Sequence, residues 1–188
     1  LSQLKSDEQH IRKAAVIALG SRFSPASEQA LRRVTDSDAS DDIAATALVS
    51  LSKIGAKLSI EYLQQYQNKQ SWYDVKRIAA LKAVENIGDP AYLELVKPNA
   101  SFKYNYAVRQ QALSAWAACA PTDPQLIDAL LKFAKDDILP VRATAIALLG
   151  KLKIARAVPM LEEISTKNGD SDIRKIASDA LEQIRRVK

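Results

Sequence analysis

Apolar residues recur at every fourth position along short stretches of this chain, and the whole pattern returns every 32 or 33 residues. Ile11, Ile43, Val75, Val108, Val141 and Ile173 are separated by 32, 32, 33, 33 and 32 positions. Four places after each stands an alanine: Ala15, Ala47, Ala79, Ala112, Ala145 and Ala177. Eight places after stand Leu19, Leu51, Ala83, Trp116, Leu149 and Leu181. Positions i, i+4 and i+8 lie along one face of a helix, and the constant alanine marks a close approach between helices. Six copies at a nearly fixed period predict a repeat architecture. One helix of each repeat, the inner one, is predicted near residues 7–20, 40–53, 72–87, 104–119, 138–150 and 171–187.

Between these runs lies a second family of amphipathic stretches: Glu28 to Val34, Leu58 to Tyr66, Ala91 to Val96, Pro124 to Phe133 and Arg156 to Ile164. Each aims a leucine at the core, namely Leu31, Leu63, Leu95, Leu130 and Leu161. The chain therefore reads as about eleven helices in five to six pairs. Gly20, Gly55, Gly88 and Gly150 follow the first set, where a left-handed residue ends a helix without strain. Asp89-Pro90 and Asp123-Pro124 place a capping aspartate before a proline suited to the first helical turn. Ser71-Trp72-Tyr73-Asp74 reads as a capping signal before the third copy.

Composition agrees with helix and excludes little else. Of 188 residues, 47% are apolar, enough for a buried core, and only five are glycine. The longest unbroken apolar stretch, Ala145 to Leu149, is far too short to span a bilayer. Cys119 is the single cysteine, so no internal disulfide can form and a cysteine-rich metal site is excluded. The net charge of +5 is spread along the chain and permits, without demanding, an acidic partner. Compartment is left open.

The residue after each aligned Ile or Val is Arg12, Ala44, Lys76, Arg109, Arg142 or Arg174, basic in five of six. Asp7, Asp42, Asp74, Asp137 and Asp172 precede these helices. An acidic turn followed by V-R-x-x-A-x-x-x-L resembles the HEAT repeat, with its best copies at Val141 to Gly150 and Ile11 to Gly20. The resemblance implies an all-α fold, a right-handed α-α superhelix of the HEAT or armadillo solenoid type, forming one domain over 1–188. It also implies that the motif-bearing helices line a concave face and that Asp and Arg form a ladder between repeats. Ala44 should interrupt that ladder. Leu181, Ile184 and Val187 read as a capped C-terminal end, whereas Leu1 to Ser6 reads as the remnant of an outer helix, predicting further chain before Leu1.

Catalytic signatures are missing. His10 is the only histidine, so no H-E-x-x-H zinc site, Ser-His-Asp triad or Cys-His pair assembles. The adjacent carboxylates Glu162-Glu163 and Asp136-Asp137 point apart on a helix or sit in a turn, as solvated charge does. Cys119 reads as a buried small hydrophobe, and Asn99-Ala100-Ser101 as a chance match to a glycosylation acceptor. No catalytic or metal residue is assigned.

Two features can carry recognition. One is the basic column, Arg12, Lys76, Arg109, Arg142 and Arg174, with Lys13, Arg77 and Lys175 one residue further on and about 100° around the helix. The first set reads as ladder, with ligand contact as its alternative; the second reads as solvated charge or as the lining of the groove. The other feature is aromatic: Trp72 and Tyr73, then Phe102, Tyr104 and Tyr106 in KPNASFKYNYAVR. Packing beneath a longer loop is its plain reading, and a mixture with Lys97, Lys103 and Arg109 also suits a peptide carboxylate, a partner protein or stacked bases. The candidate contact residues are Lys13, Trp72, Tyr73, Lys76, Arg77, Tyr104, Tyr106, Arg109, Arg142 and Lys175.

From Ser71 on, the order SWYDVKRIAALKAVENIGDP, AVRQQAL, DDILPVRATAIALLG, ARAVPMLEEI and SDIRKIASDALEQIRR is similar to the C-terminal HEAT-like domain of zinc aminopeptidases of the aminopeptidase N type. That likeness implies a helical cover over a separate catalytic domain, which would hold the zinc and is no part of this chain. It implies a lid that gates or binds peptide substrate. The alternatives are a freestanding HEAT adaptor that docks a partner protein on its concave face and, ranked last, a HEAT-type nucleic-acid-binding protein.

Overall fold

The computed structural model describes residues 1–186. Eleven α-helices and no strand occur among them, an all-α helical-repeat fold. In chain order these are α1 (Gln9–Leu19), α2 (Pro25–Ser37), α3 (Asp41–Lys53), α4 (Ile60–Gln67), α5 (Val75–Ile87), α6 (Leu93–Val96), α7 (Tyr106–Cys119), α8 (Pro124–Phe133), α9 (Leu139–Lys151), α10 (Val158–Lys167) and α11 (Ser171–Arg185). Short 3-10 turns at Ser2–Lys5, Trp72–Asp74, Pro90–Tyr92, Lys97–Ala100 and Ala155–Ala157 fill several connections. The predicted elements match these to within a few residues; Val187, assigned to the apolar face of the last helix, lies outside the described residues.

Contacts gather into two compact units, Leu1–Val96 and Lys97–Lys188. In the first, the motif helices α1, α3 and α5 pack side by side, and α2 and α4 each pack against the motif helix that follows. In the second, α7, α9 and α11 form the row, with α8 against α9 and α10 against α11. The same rule builds both units.

Periodicity explains the cores. Ile43, Ala47 and Leu51 of α3, Val108, Ala112 and Trp116 of α7, Val141, Ala145 and Leu149 of α9, and Ile173, Ala177 and Leu181 of α11 are all buried. So are all five leucines assigned to the intervening helices, Leu31, Leu63, Leu95, Leu130 and Leu161. Each such leucine contributes roughly 2 kcal/mol by leaving water. The first copy is looser: Ile11, Ala15 and Leu19 are only half-buried, and Ile17 is 56% exposed.

The helix-ending residues divide into two kinds. Gly55 (φ 75°) and Gly88 (φ 67°) are left-handed, as expected. Gly20 is not; its φ is −75°, and a Cβ there would lie 2.6 Å from Ser50 Cβ. Gly150 sits inside α9, where a Cβ would fall 2.6 Å from Ala180 Cα and Cβ. These two glycines are required by the close approach of α1 to α3 and of α9 to α11, not by backbone conformation. Asp89 and Asp123 cap as predicted, accepting from the N–H of Ala91 and Gln125. Asp74 does not cap α5. It is left-handed itself, and Ser71 Oγ instead accepts from Lys76 N–H at 3.2 Å.

Candidate functional site

The basic column is mainly structural, and its acids are different from those the motif suggested. Arg12 Nε and Nη2 donate to Asp38 at 2.9 and 3.1 Å, a two-point contact, and Nη1 donates to the Ser6 carbonyl. Arg109 Nη1 donates to Asp136 Oδ2 at 2.6 Å. Asp38 and Asp136 stand five residues before the aligned Ile43 and Val141. Each also accepts from the N–H two residues on: Asp38 Oδ1, shared with Arg12, from Ser40, and Asp136 Oδ1, the oxygen that Arg109 leaves, from Ile138. In Asp38 burial pushes the carboxyl pKa up, but the hydrogen bonds from Arg12 and Ser40 and the nearby Arg12 charge outweigh it and hold the group below its ordinary range.

The same five-residue offset gives Gln70 before Val75 and Lys103 before Val108. No acid is available there, and the ladder changes. Ala44 is buried and carries no charge, the predicted interruption. Lys76 reaches Asp41 of α3 at 2.5 Å. Before Ile173 the offset gives Asn168, which also accepts from the N–H two residues on, Asp170. Its counterpart Arg142 is half-buried, its Nε enclosed and without a hydrogen bond or ion pair among the described residues. Arg174 donates to the Asn168 carbonyl at 2.6 Å, as Arg12 does to Ser6.

Of the neighbouring basic residues, Lys13 and Lys175 are more accessible, whereas Arg77 is as enclosed as Arg12. Lys13 pairs with Asp42 at 2.6 Å and Arg77 lies 3.6 Å from Asp74, whereas Lys175 is exposed. Asp42 and Asp74, assigned to the ladder by the motif, thus meet this second set instead.

In the first unit, Trp72 and Tyr73 are 80% and 75% exposed. Their rings meet edge to face with centroids 5.1 Å apart. Tyr73 (φ 49°) and Asp74 (φ 57°) are consecutive left-handed residues, a conformation that costs a side chain roughly 1–2 kcal/mol each. Both rings stand out from the surface rather than packing beneath a loop.

In the second unit, Phe102 is 59% exposed and lies 5.2 Å from the buried Phe133 ring. Tyr106 is half exposed at the start of α7, and Tyr104 is half-buried with the Lys103 ammonium 5.6 Å above its ring. Arg109 is not a solvent-facing contact: its side chain is more than nine-tenths buried, held by Asp136 beneath Phe102 and Phe133. Lys97, Phe102, Trp116, Lys132 and Phe133 surround an open cavity of about 360 Å³. Of these, Lys132 and Phe133 of α8 went unassigned in the sequence, because only folding brings α8 under the 97–105 loop.

Asn99 is 2% exposed, so burial keeps a glycan off it, and Cys119 is buried as a small apolar residue. His10 is exposed beside Glu8. No helix among the described residues is long and apolar enough to cross a membrane.

The model of the HEAT-repeat family matches residues 1–82 and again 100–182. No curated protein matches the chain. Among solved structures, it is similar in fold to a chain in the complex of CpcE and CpcF of phycocyanin lyase from Nostoc sp., with TM-score 0.64 and 19% identity over 97% of this chain and 74% of that one. It is also similar to an engineered protein, with TM-score 0.55 and 18% identity over 98% and 94% of the two chains. The repeat period, the stacked motif helices and the family match lead to one conclusion: the chain belongs to the HEAT-repeat family.

Proposed function

We propose that this protein is a HEAT-repeat scaffold that docks a partner protein, and that Trp72 and Tyr73 are its main anchors in the first unit. The observation that carries this reading is the exposed aromatic pair on two strained backbone positions. A turn that only joined two helices gains nothing from strain, and a solvent-facing tryptophan and tyrosine gain nothing from exposure. Both become useful in an interface, where Trp and Tyr dominate the binding energy. Support also comes from the similar fold in the CpcE–CpcF structure, which is a complex of two proteins.

The likeness to the cover domain of zinc aminopeptidases rests on motif order after Ser71 alone. The family match and the similar folds add support to the adaptor reading and none to a peptidase.

The test is capture from extract of the source organism by the immobilised protein, followed by reconstitution with the purified captured protein. One protein should bind in near-equal amount and fall at least about tenfold with Trp72→Ala. Tyr73→Gly separates docking from folding: glycine accepts the left-handed backbone, so stability is retained while binding weakens. If every captured protein is indifferent to both substitutions, the reading fails.

A further inference from the structure

The cavity under the 97–105 loop has the chemistry of a peptide-binding site. It rests on aromatic rings, Phe102, Trp116 and Phe133, and is rimmed by Lys97 and Lys132. From Lys97 to Arg109 the chain carries three basic residues and no acidic one. The carboxylates that do approach are already committed. Asp123 accepts from Lys97 at 3.0 Å and from the Trp116 indole N–H at 2.9 Å, while Asp136 holds Arg109. The Lys97 ammonium is thereby fixed 5.3 Å from the centre of the Trp116 ring.

Lys132 and Lys103 differ from Lys97. Neither has a carboxylate partner among the described residues; Lys132 stands 5.0 Å over Phe102 and Lys103 stands over Tyr104. A surface that pairs the exposed Phe102 ring with uncompensated ammonium groups is complementary to one kind of segment. Such a segment carries a carboxylate next to an apolar side chain, so that the charge meets Lys132 and Lys103 while the apolar group covers Phe102.

We infer that this cavity binds an acidic, apolar peptide segment of a partner protein. The inference rests on the scaffold reading and adds to it a second contact and the chemistry of the segment. A nucleic acid fits less well. A base stacked flat on Phe102 would have to displace the Lys132 ammonium, 5.0 Å from its centroid, whereas an apolar side chain needs only part of the ring, which is 59% exposed.

The experiment uses the whole chain carrying Trp72→Phe, which leaves Trp116, in the cavity wall, as the sole tryptophan. Three probes are titrated: a short peptide alternating glutamate with leucine, its glutamine counterpart, and an oligothymidylate. The acidic peptide should shift Trp116 emission saturably, and the glutamine peptide should not. Lys132→Gln, an exposed substitution, should weaken the acidic peptide about tenfold, and Phe102→Ala by a similar factor.

Several results overturn the inference: no saturable shift, equal binding of the glutamine peptide, affinity unchanged in both variants, or tighter binding of the oligothymidylate. Defined peptides and purified protein make this titration independent of Trp72-dependent capture. A failed titration is therefore distinguishable from a failed capture.

Discussion

Arg109 and Asp136 meet at 2.6 Å inside the second unit, with both side chains more than nine-tenths buried. The pair ties α7 to the turn before α9, and the guanidinium also underlies Phe102 and Phe133. Two enclosed charges are tolerated because each neutralises the other, even though Arg109 Nε is buried without a hydrogen-bond partner among the described residues.

Removing one partner should therefore cost far more than removing both. Asp136→Ala leaves Arg109 enclosed without a counter-charge and should lower stability by about 3 kcal/mol. The double variant Arg109→Met with Asp136→Leu should recover part of that loss. Urea unfolding of the three proteins measures both; equal losses in the single and double variants would contradict the account.

Asn168 occupies the position that Asp38 and Asp136 hold elsewhere, down to the backbone N–H it accepts. Asn168→Asp should supply the carboxylate that Arg142 lacks and raise stability by about 1 kcal/mol. The gain should vanish when Arg142→Gln is added, which thermal unfolding of the four-protein cycle reads directly.

Gly150→Ala is conservative for an isolated helix and should even favour it by propensity. Here the added methyl meets the backbone of Ala180, so α9 and α11 must separate. A loss of 2 kcal/mol or so is expected, in the range of overpacked cores. Gly55→Ala is a useful contrast, since open space surrounds that position and only its φ of 75° resists the change.

Acid should weaken the second unit through Asp123. Burial pushes its carboxyl up, but hydrogen bonds from Lys97, Trp116 and the Gln125 N–H, with the Lys97 charge, hold it below the ordinary range. A depressed carboxyl contributes stability above its unfolded pKa of about 3.9, and that contribution is lost as pH falls through the lower folded value. Asp123→Asn should be less stable at neutral pH and show a shallower decline below about pH 4. An unchanged acid limb would remove Asp123 from the account.

The helices and their buried faces were readable from spacing alone, because Ile43, Ala47 and Leu51 and their counterparts answer to a period fixed by helix geometry. The ladder was half readable. Its basic residues follow the aligned Ile or Val, but its acids sit in the turns five residues earlier, where Asp38 and Asp136 are placed by backbone turns and not by helical period. Gly150 shows a different limit. Its role depends on Ala180, thirty residues away, and no local pattern announces a contact at that range. The pairing of Phe102 with Phe133 and Lys132 is hidden for the same reason, whereas the exposure of Trp72 and Tyr73 depends on two left-handed residues that propensity alone does not foretell.

Asp38, Asp136 and Asn168 each fold back onto the N–H two positions on, so the instruction to stop one helix and start the next is written within three residues of chain. The turn is set locally, while Arg12 and Arg109 tie two of these joints to the repeat before. Duplicating or deleting a whole repeat would therefore leave each turn's own hydrogen bond in place, while contacts between repeats such as Gly150 against Ala180 would have to be matched afresh.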